Sequence, residues 1–191
     1  ADDSRYTAFE NRFRGPRAEI RSRQADYVPL FRDRAPVLDL GCGRGEFLDL
    51  LRAEGIAARG VEGNANAVRE CRERGLEVTS GDLVEVLRSQ SPASLGGVFA
   101  AQVIEHLTPP ALGALLDAAH RALRPDGLLV LETVNAASGL AFLDIFIRDL
   151  THERPLHPET LRFLAAAAGF NEARIELRSP VPEEVRLTLL P

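Results

Sequence analysis

The chain has 191 residues, 45% of them hydrophobic and 27% charged, with a formal charge of −5, the make-up of one globular domain with a sizeable core. The acidic balance excludes a general nucleic-acid binder, which needs a basic surface, and no apolar run reaches the length of a membrane span. All 23 basic residues are arginine, which excludes a lysine Schiff-base mechanism.

The sequence opens on Ala1 and contains no methionine, which points to a processed chain or a piece of a longer protein. No secretory signal is visible in it. Residues 7–31, "TAFENRFRGPRAEIRSRQADYVPLF", predict two amphipathic helices broken at Gly15-Pro16. "APVLDL" then reads as a strand, "GEFLDLLRAEG" as a helix stopped by Gly55, and "IAARGVEG" as a second strand. "NANAVRECRERG" has an Asn N-cap and a terminal Gly, the marks of a helix. "LEVTSGD" predicts a third strand, "LVEVLRS" a short helix and "LGGVFAAQV" a fourth strand. "PPALGALLDAAHRALRPDG" is a long helix closed by Pro-Asp-Gly and followed by the strand "LLVLETVN". "AASGLAFLDIFIRDLTHERPLH" has an apolar helical centre and a polar, Pro-punctuated end; "PETLRFLAAAAGF" is another capped helix. "EARIELRS" and "VRLTLL" predict a closing pair of strands. Alternating units with nearly continuous apolar strands specify an α/β, doubly wound fold: a mostly parallel, seven-stranded sheet covered on both faces.

"VLDLGCGRGEFL", Val37 to Leu48, runs from strand through three alternate glycines into a helix. In open α/β sheets this first turn is the usual ligand cradle. A dinucleotide fingerprint would place its third glycine at position 46, which is Glu46. A carboxylate at that helix start would repel a pyrophosphate, and Asp39 adds further negative charge. The two acids favour a cationic or amino group. At the next strand end, Glu62 lies about 20 residues after the glycine turn, where a carboxylate's two acceptor oxygens match a vicinal ribose diol. Asp82, after the third strand, is an N-cap, or accepts from an adenine amino group with the Leu83 N–H facing a ring nitrogen; both roles are compatible. The fourth strand ends in Gln102, Glu105 and His106. Together these ends describe a nucleoside site without phosphates.

In order, "VLDLGCGRGEFL", "GVEGNANAV", "SGDLVEVL", "AAQVIEHL" and "ALRPDGLLVLETVN" resemble the motifs of class I S-adenosylmethionine-dependent methyltransferases. The resemblance implies a Rossmann-like domain over residues 35–191, preceded by an N-terminal helical extension or lid over residues 1–34. It implies S-adenosylmethionine as cofactor, with Asp39 and the loop Gly41, Cys42 and Gly43 at its methionine end. Glu62 and Gly63 would hold the ribose, Asp82 and Leu83 the adenine, and Gln102 the floor near the methionine. The two ends of the chain, with "THERPLHPETLRFLAAAAGF" and "RSPVPEE", are similar to methyltransferase domains of bacterial surface-polysaccharide biosynthesis, including O-antigen chain terminators. That narrower resemblance implies a sugar hydroxyl as acceptor, and a larger parent chain or glycan-assembly partner. A quinone or secondary-metabolite acceptor, or a non-catalytic cofactor-binding module, are the other readings.

A sugar hydroxyl needs a base to take its proton. His106 is the first candidate, because neutral imidazole accepts a proton near neutral pH. His152 and His157 in the following loop come second, and His120 reads as a helix-face residue without a role. Glu105 and His106 lie where a divalent ion is conceivable, yet Gln102 is neutral where another acid would help, and no metal site is assigned. Tyr6, Phe9, Phe13 and Arg14 recur at helical spacing and form either a lid or a helix packed on the sheet. Arg12, Arg14, Arg17, Arg21 and Arg23 suit an anionic carrier lipid or a solvated face. "LAFLDIFI" is an acceptor-pocket wall, a protein contact or core. Cys42 and Cys71 fit no metal or disulfide pattern and suit a reducing cytoplasm.

Overall fold

The computed structural model describes residues 15–180. Five strands form one parallel sheet: β1 (Val37–Leu40), β2 (Ala58–Glu62), β3 (Val78–Ser80), β4 (Leu95–Ala101) and β5 (Leu123–Glu132), in the order β3-β2-β1-β4-β5. All pairings are parallel, and the order reverses between β1 and β4, which opens a crevice at their carboxyl ends. Every residue of β1 and β4 is buried, as a sheet covered on both faces requires.

Among the described residues, six helices of six residues or more connect and flank the strands: α1 (Arg17–Ala25), α2 (Glu46–Ala53), α3 (Ala65–Glu73), α4 (Leu83–Arg88), α5 (Pro109–Ala122) and α6 (Pro158–Ala167). Their starts carry the capping chemistry that the sequence announces. Asn64 Oδ1 accepts from the N–H groups of Asn66 and Ala67, and Thr108 Oγ1 accepts from Ala111 ahead of Pro109-Pro110. His157 caps α6, its Nδ1 accepting from Glu159 N–H at 3.2 Å.

One core cluster joins Leu38 and Leu40 of β1, Val98 and Ala100 of β4, and Leu112, Leu115 and Leu116 of α5. A second, on the opposite face, joins Tyr27, Val28 and Phe31 to Val37, Phe47, Leu51 and Phe99. Residues 27–31 therefore share a core with the sheet. Arg17 adds to this by pairing with Asp49 of α2 at 2.5 Å and Glu70 of α3 at 3.4 Å. That contact commits one of the arginines expected on a solvated or lipid-facing surface.

Several expectations change. The sheet has five strands among the described residues; 172–179 carry no strand, and 185–190 lie outside the description. The expected aromatic stripe Tyr6, Phe9 and Phe13, with Arg12 and Arg14, also lies outside it. The helix expected to run to Pro-Asp-Gly ends at Ala122, because Leu123 already pairs with Leu95. Residues 124–127 of β5 then bulge out of the ladder, with Asp126 at φ 64°, before pairing resumes at Gly97 and Leu128. The apolar run after Gly139 forms a short helical turn (Gly139–Ala141) and a wider turn over Phe142–Phe146. Only Phe146 of that run is buried; Leu143, Ile145 and Ile147 are 67%, 51% and 54% exposed.

Candidate active site

The glycine turn between β1 and α2 is built on left-handed backbone: Gly41, Gly43 and Gly45 have φ of 66°, 52° and 73°. Side chains are excluded twice over. A Cβ on Gly41 would stand 2.5 Å from Val103 Cγ2, and one on Gly45 2.6 Å from Leu76 Cδ1.

The backbone donors of this loop are engaged within the protein. Gly41 and Cys42 N–H both donate to Val61 O, at 2.8 and 3.1 Å, and Gly45 N–H donates to Cys42 O at 2.9 Å. Gly43 N–H donates to Glu62 Oε2 at 2.8 Å. A phosphate cradle presents such N–H groups to its ligand. Here they hold the turn closed, and carboxylates surround it. Glu62 accepts on its other oxygen from Asn64 N–H at 2.8 Å. Each of its oxygens keeps a lone pair for a further donor such as a ribose hydroxyl. Asp39 is 3% exposed, in register with Gly60 and Phe99 at the centre of the sheet. Glu46 is 1% exposed, paired with Arg44 Nε at 2.8 Å, and its Oε2 is buried with no hydrogen-bond partner. The N–H groups of Gly41 and Gly43 are therefore already committed within the protein. These residues fit a ligand with hydroxyl and amino groups, and not a pyrophosphate.

Behind the loop, the Cys71 thiol donates to Gly43 O at 3.4 Å. Its hydrogen bond with Cys42 and their burial push the Cys42 thiol far up, so Cys42 is a buried neutral group. At the next strand end, Asp82 caps α4 with Oδ1 alone, accepting from Val84 and Glu85 N–H at 2.9 Å each. Leu83 packs on the core beside it, and Gly63 is exposed with open space above it.

Past β4 the chain makes a 3₁₀ turn, Ile104–His106. The loop before α6 folds back over this turn, with Glu153 N–H donating to Glu105 O at 2.9 Å. It brings His152 against His106, ring centroids 4.7 Å apart. His106 Nδ1 lies 3.2 Å from Thr151 O and 2.9 Å from Thr151 Oγ1. The Thr151 hydroxyl in turn donates to Asp149 Oδ1 at 2.6 Å. This network assigns the proton of His106 to Nδ1 and leaves Nε2 as an acceptor. Burial, then the neighbouring His152, hold the His106 pKa below its ordinary value, so the ring is neutral at neutral pH. His152 is fixed separately: Nδ1 lies 2.7 Å from Phe146 O, and Phe146 stacks on its ring at 4.7 Å. His157 and His120 stand elsewhere. The former caps α6, and the latter packs edge-on against Phe170 at 5.3 Å.

Glu105 is 1% exposed, its Oε2 accepting from Thr133 Oγ1 at 2.9 Å. Glu105, His106 and His152 offer one ligand atom each, all within 4.8 Å of one another, a spacing compatible with one divalent ion. The third donor is a histidine 46 positions along from His106, which is why the neighbourhood of Gln102 gave no metal pattern. Asp149, Thr151, Glu132 and Tyr27 also escaped the sequence reading. The turn polarity of "RDLTHERP" was the one available signal for the first two.

No helix among the described residues is long and apolar enough to cross a membrane. A family model described as "Methyltransferase domain" matches residues 9–173. A crystal structure of a SAM-dependent methyltransferase from Archaeoglobus fulgidus superposes with a TM-score of 0.90 at 38% identity, covering 96% of this chain and 82% of that one. A second, from Thermotoga maritima and described as a possible histamine N-methyltransferase, has a TM-score of 0.65 at 22% identity, covering 88% of this chain and 78% of that one; it shows the fold alone. Among curated proteins, the ubiquinone biosynthesis O-methyltransferase of Paracidovorax citrulli (strain AAC00-1) is 30% identical over 105 residues. The match covers 52% of this chain and 43% of that protein, so the chain spans less than half of that relative's length. The matching family model, spanning most of the chain, and the Archaeoglobus structure agree with the glycine turn and its acidic rim: the chain belongs to the class I S-adenosylmethionine-dependent methyltransferases.

Proposed function

We propose that the protein methylates a hydroxyl group on a small organic acceptor, with His106 as the base. S-adenosylmethionine, when bound, supplies an already activated methyl group. The chain's own residues then have three tasks. Asp39, Glu62 and Asp82 bind the amino, ribose and adenine groups of the donor, and Gln102 lines its methionine end. The Asp149–Thr151 pair orients His106 through Nδ1, so that Nε2 receives the acceptor's proton. The loop from Phe146 to His152 lies against one side of the half-buried His106 ring, through Thr151 and His152.

The observation that carries this reading is the oriented, neutral His106 at the carboxyl rim of β4, beside the glycine turn. Relatives named for ubiquinone biosynthesis support a small-molecule acceptor of the quinone kind over the sugar suggested by the chain ends. The exposed Leu143, Ile145 and Ile147, in the run whose Phe146 stacks on His152, support an apolar one. The sugar hydroxyl remains the competing acceptor because of the resemblance in the 151–170 segment.

Calorimetry with S-adenosylhomocysteine, with NAD as control, comes first, and micromolar binding of the former alone is expected. Turnover is then compared on a catechol and on an oligosaccharide. His106→Ala should keep cofactor affinity and slow transfer by about 100-fold. The acid limb of the wild-type kcat profile should fall below pH 6.5, since the His106 pKa is lowered from that value. Undiminished turnover in the variant removes His106 as base, and a preference for the oligosaccharide restores the sugar reading.

A further inference from the structure

Glu132, the last residue of β5, is bonded from three sides. Its carbonyl accepts Gln102 N–H at 2.8 Å, and its Oε1 accepts from Gln102 Nε2 at 3.1 Å. Its Oε2 accepts from the hydroxyl of Tyr27, 105 positions earlier in the chain. Tyr27 is itself fixed. It is 6% exposed, its ring centroid lies 5.3 Å from that of Phe99, and the Arg178 guanidinium lies 4.5 Å over its ring. Burial and the bond to Glu132 push its pKa far up, so it remains a hydroxyl donor.

What this assembly holds is an exposed side chain. Gln102 stands between the buried Ala101 and Val103, and its φ is 56°. Left-handed backbone is strained for a residue with a Cβ. Packing does not demand it, because the Gln102 side chain points out of the core. Strain of this kind persists only where its surroundings hold it, and it clusters at ligand-binding positions. With an N–H committed to Glu132, Gln102 keeps its amide oxygen for an N–H donor, which the ammonium of a methionine moiety supplies.

We propose that Glu132 and Tyr27 are positioning residues that hold Gln102 against the methionine end of the methyl donor; this rests on the proposed placement of Gln102 in that site. Tyr27 thereby ties the segment after α1 to cofactor affinity. The adjacent Thr133 does the matching service for Glu105, so the end of β5 braces the 102–106 segment on both sides.

The test is calorimetry of the full chain with S-adenosylhomocysteine, accompanied by thermal unfolding. Tyr27→Phe keeps the ring and its packing and removes only the hydroxyl. Tyr27→Phe and Gln102→Ala should each weaken binding by roughly 5-fold, the worth of about one hydrogen bond. The double variant should bind no more weakly than Gln102→Ala alone, because both act through one contact. Glu132→Gln, which keeps one acceptor oxygen, should retain more affinity than Glu132→Ala. Effects that multiply in the double variant overturn the positioning role and leave the proposed function standing. A Tyr27→Phe variant with a lowered melting temperature and intact affinity overturns the positioning role in the same way. An unsubstituted protein that fails to bind S-adenosylhomocysteine overturns both.

Discussion

Glu105 sits out of water with Oε1 unpartnered and Oε2 held by Thr133. Burial raises its pKa from 4.5 to about 7, against the opposing pull of the Thr133 bond and His152. The consequence for stability has a definite sign. Below pH 4.5 both folded and unfolded chains carry the proton, and Glu105 costs nothing. Between pH 4.5 and about 7 the unfolded chain releases the proton while the folded one keeps it, so stability falls as pH rises. Above that window the penalty is complete, of order 3 kcal/mol. Glu105→Gln, studied with a chelator present, should therefore raise the melting temperature at pH 8 and leave it nearly unchanged at pH 4. A gain of equal size at both values would mean that Glu105 is ionised in the folded protein at neutral pH.

At the scale of the element, α4 separates two roles that coincide in one residue. Asp82 caps the helix with Oδ1, and its second oxygen is the proposed acceptor for the adenine amino group. Serine caps nearly as well as aspartate and is too short to reach a ligand. Asp82→Ser should leave stability within about 0.5 kcal/mol of the parent and weaken S-adenosylhomocysteine binding several-fold. An affinity unchanged by the substitution would leave Asp82 as a cap only. The starts of α2, α3 and α4 were legible in the sequence for one physical reason. At each, a short strand-forming run gives way to a helical pattern across a Gly, Asn or Asp that only a turn or cap favours, so Gly41, Glu62 and Asp82 announced themselves. The contacts of His106 with Thr151 and of Gln102 with Glu132 did not. They join residues 45 and 30 positions apart, and nothing local in either segment encodes its partner. The strand expected over 172–179 failed for a related reason: alternation marks a residue run fit for pairing, while pairing itself needs a neighbouring edge in register.

At the scale of the whole molecule, the relation of residues 17–34 to the sheet decides whether the N-terminal extension is a lid or part of the body. Phe31 is fully buried, with its ring centroid 5.6 Å from Phe47 and 6.1 Å from Phe99. Phe47 and Phe99 lie 4.0 Å apart, so the three rings join the turn after α1, helix α2 and strand β4 in one packing unit. An extension that opens as a lid would leave this unit at little cost. One that shares the core can leave only when the core itself fails. Phe31→Ala should cost about 3–5 kcal/mol. In a chain of this size that lowers the melting temperature by roughly 10 °C, in a single transition seen alike by near-ultraviolet dichroism and by calorimetry. The Tyr27 ring packs on Phe99 in the same cluster, so ligand affinity and global stability should fall together in Phe31→Ala, whereas Tyr27→Phe changes affinity with the rings in place. Two transitions in Phe31→Ala, the later one at the parent's temperature, would instead show a sheet that folds without its extension, and would place the domain boundary at residue 34.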